Sequence, residues 1–318
     1  MNITVIGCGR WGTFIAWYLD KNGHNVSLYG RKDSKRLSEL EAAGTNGLTT
    51  LNKSVNLTSD LTVAKNSDVI IISINSQNLA DMMEELKPLN LENKIIVLCM
   101  KGIIAESGKR LSEIVSENTV KSNKVAVWIG PGHVQEFCRG IPNCMVIDSD
   151  DEKTKDVLIK AFSSDLIRFY YGQDLVGNEI GAASKNVIGI AAGMLDGIKL
   201  STLKGALMSR GTQEISRLIE AMGGNKLSAY GLCHLGDYEA TVFSEYSHNR
   251  MFGEFFVTGR AYTELAEGYY TVKALKLLSE RYNVELPICN AVYDILFNNK
   301  DAEAVLSTLF SRSLKNEF

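Results

Sequence analysis

The sequence predicts a doubly wound α/β domain over residues 1–173 and an all-helical domain over residues 174–318. In the first part, short runs rich in isoleucine and valine alternate with segments of helical period. This alternation is typical of parallel strands that are buried on both faces and joined by right-handed helical crossovers. From Asp174 onward, long segments of helical period follow one another with almost no strand-like alternation. The change of pattern near residue 173 therefore predicts two domains.

Six apolar runs are predicted as strands of the first domain. They are ITVIG from Ile3, NVSLYG from Asn25, DVIIISI from Asp68, KIIVLCM from Lys94, VAVWIG from Val125 and IRFYYG from Ile167. A long apolar stretch, residues 176–195, contains Asn178, Glu179, Lys185 and Asn186, which are costly in a bilayer. We expect it to be a buried helix.

Composition narrows the class of protein. The chain has 318 residues, 45% of them hydrophobic and 22% charged, and a formal net charge of −3. Such a chain is an ordinary globular protein without an overall basic field for nucleic acid or an anionic membrane. Its six cysteines are scattered singly, without metal-ligand spacing, and residues 2–6 match a first strand better than an export signal. We expect reduced thiols, a cytoplasmic location and no bound metal.

A glycine-rich turn follows the first predicted strand. The segment Gly7-Cys8-Gly9-Arg10-Trp11-Gly12 leads directly into a predicted helix. Gly7 permits a tight turn, Gly9 lets backbone amides approach a pyrophosphate, and Gly12 allows close helix packing. At this place in a βαβ unit the pattern predicts a dinucleotide site, and the alternative is a purely structural turn.

The end of the second predicted strand bears on which dinucleotide binds. An NAD site usually has an acidic residue there, whereas this chain reads Tyr29-Gly30-Arg31-Lys32. Arg31, helped by Lys32, can pair with a 2′-phosphate, so NADP is favoured over NAD. The alternative is that Arg31 only stacks on adenine, which would permit either cofactor.

Six motifs in register over about 270 residues resemble the bacterial NAD(P)-dependent glycerol-3-phosphate dehydrogenase family. They are GCGRWGT, MKGI, IGPGHVQEFCRGIP, EIGAASKNVIGIAAGMLDG, LGDYEATVFSEYSHNRMFG and AEGYYTVKAL. The resemblance implies a Rossmann-like cofactor domain, a helical substrate domain and interconversion of dihydroxyacetone phosphate and sn-glycerol 3-phosphate. It also implies a homodimer that supplies glycerol phosphate for membrane lipids.

The resemblance assigns roles to individual residues. The implied catalytic residues are Lys185, which transfers the proton, Lys101 and Asp237. The implied substrate-binding residues are Lys101, Gly130, Gly132, Lys185, Asp237, Ser247, His248 and Asn249. The implied cofactor-binding residues are Gly7, Gly9, Arg10, Trp11, Gly12, Arg31, Lys101, Val134, His248 and Glu267.

These roles are chemically coherent. Reduction of a ketone needs a hydride donor and a proton donor near the carbonyl oxygen. Burial of Lys185, with Lys101 as a second cation, would make its ammonium a better proton donor, and Asp237 would balance the charge. On the pattern alone, Lys185 is equally a packed stem, Lys101 a solvated strand end and Asp237 a loop cap.

The family pattern is broken at two positions. Gly132 stands where the family has a serine facing the substrate, and His248 stands where it has an arginine that binds the substrate phosphate. A histidine can still donate to phosphate, and Arg250 or helix amides could share the charge. His133, His234 and His248 lack metal-ligand spacing, and His234 is predicted to be a packed or capping residue.

Two other functions remain open. One is a related two-domain NAD(P)-dependent reductase of another small oxo or hydroxy compound, which the changes at Gly132 and His248 favour. The other is a dinucleotide-binding regulator without turnover, for which we would expect Lys185 or Asp237 to be replaced. Both residues are present.

Overall fold

A computed structural model describes residues 1–310 of the protein. The chain divides into two compact units. Unit 1 comprises Met1–Lys101 and Lys109–Glu179, and unit 2 comprises Gly102–Gly108 and the chain from Ile180 onward. The seven residues that follow Lys101 thus belong to the unit formed by the second half of the chain.

One sheet forms the centre of unit 1. In the part of the chain that the structure describes, its strands are β1 Asn2–Ile6, β2 Asn25–Tyr29, β3 Asn56–Thr58, β4 Val69–Ile72, β5 Ile95–Leu98, β6 Lys124–Ile129, β7 Asn143–Asp148 and β8 Ile167–Tyr171. Their order is β3-β2-β1-β4-β5-β6-β7-β8, and all neighbours are parallel except β6 and β7. The predicted Rossmann-like α/β fold is confirmed. The order reverses at β1, where such folds bind their ligands beyond the carboxyl ends of the strands.

Strands β3 and β7 were not predicted, and β7 corrects the expectation of an all-parallel sheet. The apolar core of β7 is only three residues long, residues 145–147. Its reversed direction follows from the link before it. Strand β6 has six residues and spans roughly 20 Å, whereas helix α5 (Val134–Cys138) has five residues and rises only about 7.5 Å. The helix therefore covers less than half the length of the strand, and β7 pairs antiparallel with β6.

Helices cover the sheet of unit 1. In addition to α5 they are α1 Arg10–Lys21, α2 Lys35–Ala43, α3 Leu79–Leu86, α4 Leu111–Glu117 and α6 Glu152–Phe162. Aromatic side chains fill part of the core that α1 and α5 share with the sheet. Phe14 stacks on Phe137 with ring centroids 5.2 Å apart, and Trp128 meets Phe169 edge-on at 5.0 Å. This packing fixes α1 behind the carboxyl end of β1.

Unit 2 is helical, as predicted. Its helices within residues 1–310 are α7 Leu175–Gly197, which begins in unit 1, α8 Lys204–Ala221, α9 His248–Val257, α10 Gly268–Tyr282, α11 Pro287–Phe297 and α12 Ala302–Phe310. The predicted buried helix is α7. It packs closely on α9, because a Cβ at Gly193 would lie 1.8 Å from the carbonyl oxygen of Arg250.

Candidate active site

The glycine turn of unit 1 forms a closed backbone loop after β1. Gly7 has a φ of +117°, and a Cβ there would lie 2.2 Å from the carbonyl oxygen of Ser73. A Cβ at Gly12 would lie 1.8 Å from the carbonyl oxygen of Gly7. Only glycine fits at either position, so the loop folds directly onto the start of α1.

Helix α1 presents its amino end at this loop. Its N-cap, Gly9, offers no side-chain cap, and its first turn contains no acidic residue. The amides of the first turn therefore keep their capacity to donate, and the helix dipole favours negative charge beside them. These residues fit the pyrophosphate of a dinucleotide, because the backbone is open where a Cβ at Gly9 would stand and positive where the phosphates would lie.

The end of β2 lies beside the same loop. Strands β1 and β2 pair in register up to Ile6 and Tyr29, and the Gly7 amide donates to the Tyr29 carbonyl oxygen at 2.9 Å. Arg31 and Lys32 follow this strand end, and both are exposed. The structure therefore places the predicted phosphate-binding cation Arg31 next to the glycine loop.

Sheet neighbours bring two predicted substrate residues together. Lys101 follows β5, Gly130 follows the adjacent β6, and Lys101 Nζ donates to the Gly130 carbonyl oxygen at 2.5 Å. Lys101 and Trp11 also line one small cavity with Ile15, Cys99, Trp128 and Met145. The cavity joins residues from both the predicted cofactor set and the predicted substrate set.

The structure explains one of the two broken motif positions. Gly132 has a φ of +135°, and a Cβ there would lie 2.5 Å from the ring of Phe137. A serine is excluded unless this ring moves. Two residues farther along the chain, Val134 is 1% exposed and packs in the core of unit 1, so the contact with cofactor predicted for it would involve its backbone.

A buried ion pair lies in unit 2. Lys185 on α7 has its Nζ 2.9 Å from Asp237 Oδ2, and the two side chains are 8% and 0% exposed. Asp237 belongs to a short 3-10 turn, Leu235–Asp237. The structure thus brings together the predicted proton-transferring lysine and the predicted carboxylate, although 51 positions separate them in the sequence. A buried ammonium of this kind needs such a partner to keep its charge.

Thr241 completes this cluster and was not predicted. Lys185 Nζ donates to Thr241 Oγ1 at 2.6 Å, and Thr241 Oγ1 donates to the Asp237 carbonyl oxygen at 2.8 Å. Thr241 is 1% exposed on a π-helical turn, Glu239–Phe243. Its position four residues after Asp237 was the only signal in the sequence. The hydroxyl thus holds the ammonium at a second point.

His234 is packed beside this cluster, as predicted. Its Nδ1 lies 2.8 Å from the Gly181 carbonyl oxygen, which can only accept, so Nδ1 carries the proton. Its Nε2 therefore accepts from the Tyr238 hydroxyl at 2.7 Å. Complete burial, with the charge of Lys185 as a smaller contribution, lowers the pKa of His234 to about 4. The imidazole is neutral at physiological pH.

His248 begins α9 and has an aromatic partner. Its Nδ1 lies 2.5 Å from the hydroxyl of Tyr262, and the Tyr262 ring packs among Phe252 and Phe255. The ring is thereby fixed at the amino end of a ten-residue helix. Either group can be the donor in this hydrogen bond, depending on the tautomer of the imidazole.

Arg250 already has carboxylate partners. Its Nη1 lies 2.9 Å from Asp196 and 3.1 Å from Glu254, and its side chain is 15% exposed. Asp196 also pairs with Lys204, and Glu254 also pairs with Arg260. Three cations thus share two carboxylates, and a share of Arg250 in phosphate binding stays a prediction.

The other predicted residues at the start of α9 have structural partners. Ser247 is the N-cap and accepts from the Arg250 amide, while Asn249 Oδ1 accepts from the Gly268 amide at 2.9 Å. Gly268 is the first residue of α10, and Glu267 is its N-cap. The structure thus gathers Ser247, His248, Asn249 and Glu267 around two neighbouring helix starts. Their contacts with substrate or cofactor stay predictions.

Within residues 1–310, no group of three or more histidine, cysteine, aspartate or glutamate side chains is placed to hold a metal ion. In the same part of the chain, no helix combines the length and apolar character needed to cross a bilayer.

A Rossmann-like unit with an intact dinucleotide loop, together with a buried lysine-carboxylate pair in a helical unit, defines the class of nicotinamide-dependent oxidoreductases. Comparison with known proteins gives the family. Residues 2–155 match the model of the NAD-dependent glycerol-3-phosphate dehydrogenase N-terminus, and residues 174–307 match that of its C-terminus. The chain belongs to the NAD-dependent glycerol-3-phosphate dehydrogenase family.

Individual relatives agree over their whole length. A glycerol-3-phosphate dehydrogenase (NAD(P)+) from Chlorobium phaeobacteroides strain BS1 is 36% identical, covering 100% of this chain and 99% of the relative. One from Fusobacterium nucleatum is 35% identical, covering 100% and 98%. The crystal structure of glycerol-3-phosphate dehydrogenase from Coxiella burnetii superposes with a TM-score of 0.92 at 27% identity, covering 98% and 99%.

Proposed function

We propose that this protein reduces dihydroxyacetone phosphate to sn-glycerol 3-phosphate with NADPH or NADH, and catalyses the reverse oxidation. The observation that carries the proposal is the buried ammonium of Lys185, fixed by Asp237 and Thr241. The names of full-length relatives support the substrate and the cofactor. Lys185, Asp237 and Thr241 all lie within the sequence motifs that resemble the family.

Each unit supplies one half of the chemistry. In unit 1 the glycine loop and the amino end of α1 bind the pyrophosphate, and Trp11 and Lys101 line the adjoining cavity. The nicotinamide, when bound, supplies the hydride for the ketone carbon. In unit 2 the Lys185 ammonium donates a proton to the carbonyl oxygen as the alcohol forms.

The partners of Lys185 position the proton. Asp237 balances the charge of the ammonium, and Thr241 accepts one of its three N–H bonds. These two contacts limit the positions that the ammonium can take, which favours proton transfer to a bound substrate. In the reverse direction the same lysine, once neutral, accepts the hydroxyl proton.

Recognition of the substrate phosphate is proposed for His248. Its ring is fixed by Tyr262 at the start of α9, where helix amides also favour an anion. Lys101, Gly130 and Asn249 are proposed as further substrate contacts. A single histidine gives a phosphate fewer charged hydrogen bonds than a bidentate arginine. We therefore expect a lower affinity for the substrate.

Several finer points belong to the same proposal. We propose that NADP is preferred, because Arg31 and not a carboxylate follows β2. We further propose that the enzyme acts as a homodimer in the cytoplasm and that its product enters glycerophospholipid synthesis. The cofactor domain is proposed to comprise residues 1–173 and the substrate domain residues 174–318.

The test is the initial rate of NADPH and NADH oxidation by the purified protein with dihydroxyacetone phosphate. Unphosphorylated dihydroxyacetone is the control, because it keeps the ketone and lacks the phosphate. We expect rapid oxidation with the phosphate ester alone. No oxidation with the ester by a protein that binds NADPH would contradict the proposal and favour the related reductase of another substrate.

A further inference from the structure

A second arginine reaches the glycine loop from helix α2. Arg36 lies in the first turn of α2, and its Nη1 is 3.5 Å from the position that a Cβ at Gly9 would occupy. This is an ordinary van der Waals distance, so the guanidinium covers the open face of Gly9. Arg36 was not among the cofactor residues predicted from the sequence.

Close packing explains why α2 lies against the loop. A Cβ at Gly30 would lie 2.6 Å from Cys8 Sγ and 3.0 Å from Leu37 Cβ. The glycine at the end of β2 therefore lets Cys8 of the loop and Leu37 of α2 approach each other, and both are buried. Ser34 caps the helix by accepting from the Leu37 amide. Because Leu37 is fixed, its neighbour Arg36 is directed toward Gly9.

The charge of Arg36 is available to an anion. Its side chain is exposed, and within residues 1–310 it forms no hydrogen bond or ion pair. Lys35, by contrast, lies 3.8 Å from Glu39. Burial and then Glu41 raise the pKa of the Cys8 thiol to about 11, while the positive charge of Arg36 opposes this rise.

A dinucleotide phosphate would complete this arrangement. The pyrophosphate is already served by the amides of α1, whereas a 2′-phosphate on the adenosine ribose has Arg31 as its one predicted strong partner. Arg36 reaches Gly9 from α2, and Arg31 follows the end of β2, where the Tyr29 carbonyl oxygen accepts from the Gly7 amide. Two planar forks suit a phosphate dianion, because each can form paired charged hydrogen bonds.

We propose that Arg36, together with Arg31, binds the 2′-phosphate of NADP and is a specificity-determining residue for NADP over NAD. The proposal rests on the proposed function, since it refines the cofactor preference of that enzyme. It assigns to Arg36 discrimination between two cofactors and not general affinity for dinucleotides.

The experiment measures binding of two fragments by calorimetry, without turnover. Adenosine 2′,5′-bisphosphate carries the 2′-phosphate and lacks the pyrophosphate, whereas 5′-ADP carries the pyrophosphate and lacks the 2′-phosphate. In Arg36→Met, which keeps an apolar stem, we expect binding of the bisphosphate to weaken roughly 10- to 100-fold, as for loss of hydrogen bonds to a charged group. Binding of 5′-ADP should change less than twofold.

Two further variants test whether the effect is specific to Arg36 or follows from the loss of any positive charge on α2. Lys35→Met removes a cation from the same turn of α2 and should leave both affinities unchanged, whereas Arg31→Met should reproduce the selective loss. Equal weakening of both fragments in Arg36→Met would overturn the proposal and assign Arg36 to the pyrophosphate. Unchanged binding of both would overturn it as well. Because no substrate is present, either result is independent of whether the protein reduces dihydroxyacetone phosphate.

Discussion

The glycine loop of unit 1 and the lysine cluster of unit 2 are built from different kinds of group. The loop is made of backbone amides that are contiguous in the sequence, from Gly7 to Gly12. The cluster is made of side chains from α7 and from two short turns more than fifty residues later. Backbone sites tolerate few residue types because any Cβ would collide, whereas side-chain sites depend on the fold to bring their members together.

The difference predicts separable failures. Changes in the loop should weaken cofactor binding and leave the ammonium intact, and changes in the cluster should stop the proton transfer and leave the cofactor bound. The following four experiments compare the two regions, beginning with the largest expected effect.

Lys185→Ala should lower kcat roughly 10²- to 10⁴-fold, the range for loss of a general acid-base group. Calorimetric binding of NADPH should be unchanged, because the glycine loop is untouched. Lys204→Ala is the matched control, since Lys204 is another largely buried lysine of unit 2, 2.6 Å from Asp196. Removal of one member of a buried pair also costs stability, so circular dichroism must show that both variants are folded. Normal turnover in Lys185→Ala would contradict the proposed role.

His234→Asn should change how stability depends on pH. Burial lowers the pKa of His234 from 6.5 to about 4, so between these values the unfolded chain binds a proton that the folded chain does not. The stabilising contribution is present above pH 6.5 and is lost as pH falls toward 4. Across that window we expect the free energy of unfolding of the wild type to fall by about 3 kcal/mol more than that of the variant. Urea unfolding at several pH values measures this, and parallel curves would contradict it.

Gly12→Ala should damage the loop alone. The added Cβ would lie 1.8 Å from the Gly7 carbonyl oxygen, so the backbone must shift. We expect a loss of roughly 1–3 kcal/mol of stability, as for overpacking, together with weaker NADPH binding. Gly205→Ala is the control, because a Cβ at Gly205 on α8 meets no atom within 4 Å. An unchanged NADPH affinity in Gly12→Ala would contradict the prediction that changes in the glycine loop weaken cofactor binding.

His248→Arg should strengthen phosphate recognition. An arginine can form a bidentate pair with a phosphate, which a histidine cannot, and we expect KM for dihydroxyacetone phosphate to fall about tenfold. Calorimetric binding of 5′-ADP serves as the reference and should not change. An unchanged or higher KM for the phosphate ester would count against a phosphate site at His248.

The sequence predicted the loop well because its cause is local. Gly7, Gly9 and Gly12 are read directly as a turn, and Arg31 follows at the expected distance. Strand β7 was missed because its apolar run is short, and its antiparallel direction has no local signal in the sequence. Arg36 was missed because its position depends on the packing of Leu37 against Cys8 across Gly30. Nothing in the local sequence carries that contact.

The lysine cluster of unit 2 was even less predictable from the local sequence than strand β7 or Arg36. Lys185 and Asp237 were named through the resemblance to the family, and on pattern alone each had an equally good structural explanation. Thr241 had no signal beyond its spacing from Asp237. Its role became visible only when the π-helical turn directed its hydroxyl toward the ammonium. Side chains that act through distant partners are therefore the part of a site least accessible from one sequence.

The segment Gly102–Gly108 has a consequence for the order of events during synthesis. It belongs to unit 2, where Arg281 donates to the Ser107 carbonyl oxygen across 174 positions and Ile103 is fully buried. At about 5–20 residues per second, a ribosome needs on the order of 10–35 s to proceed from Ser107 to Arg281. During that interval the Ser107 carbonyl oxygen lacks its partner on α10. Unit 1 can complete its sheet in this time, but the seven-residue segment must wait for nearly the end of translation.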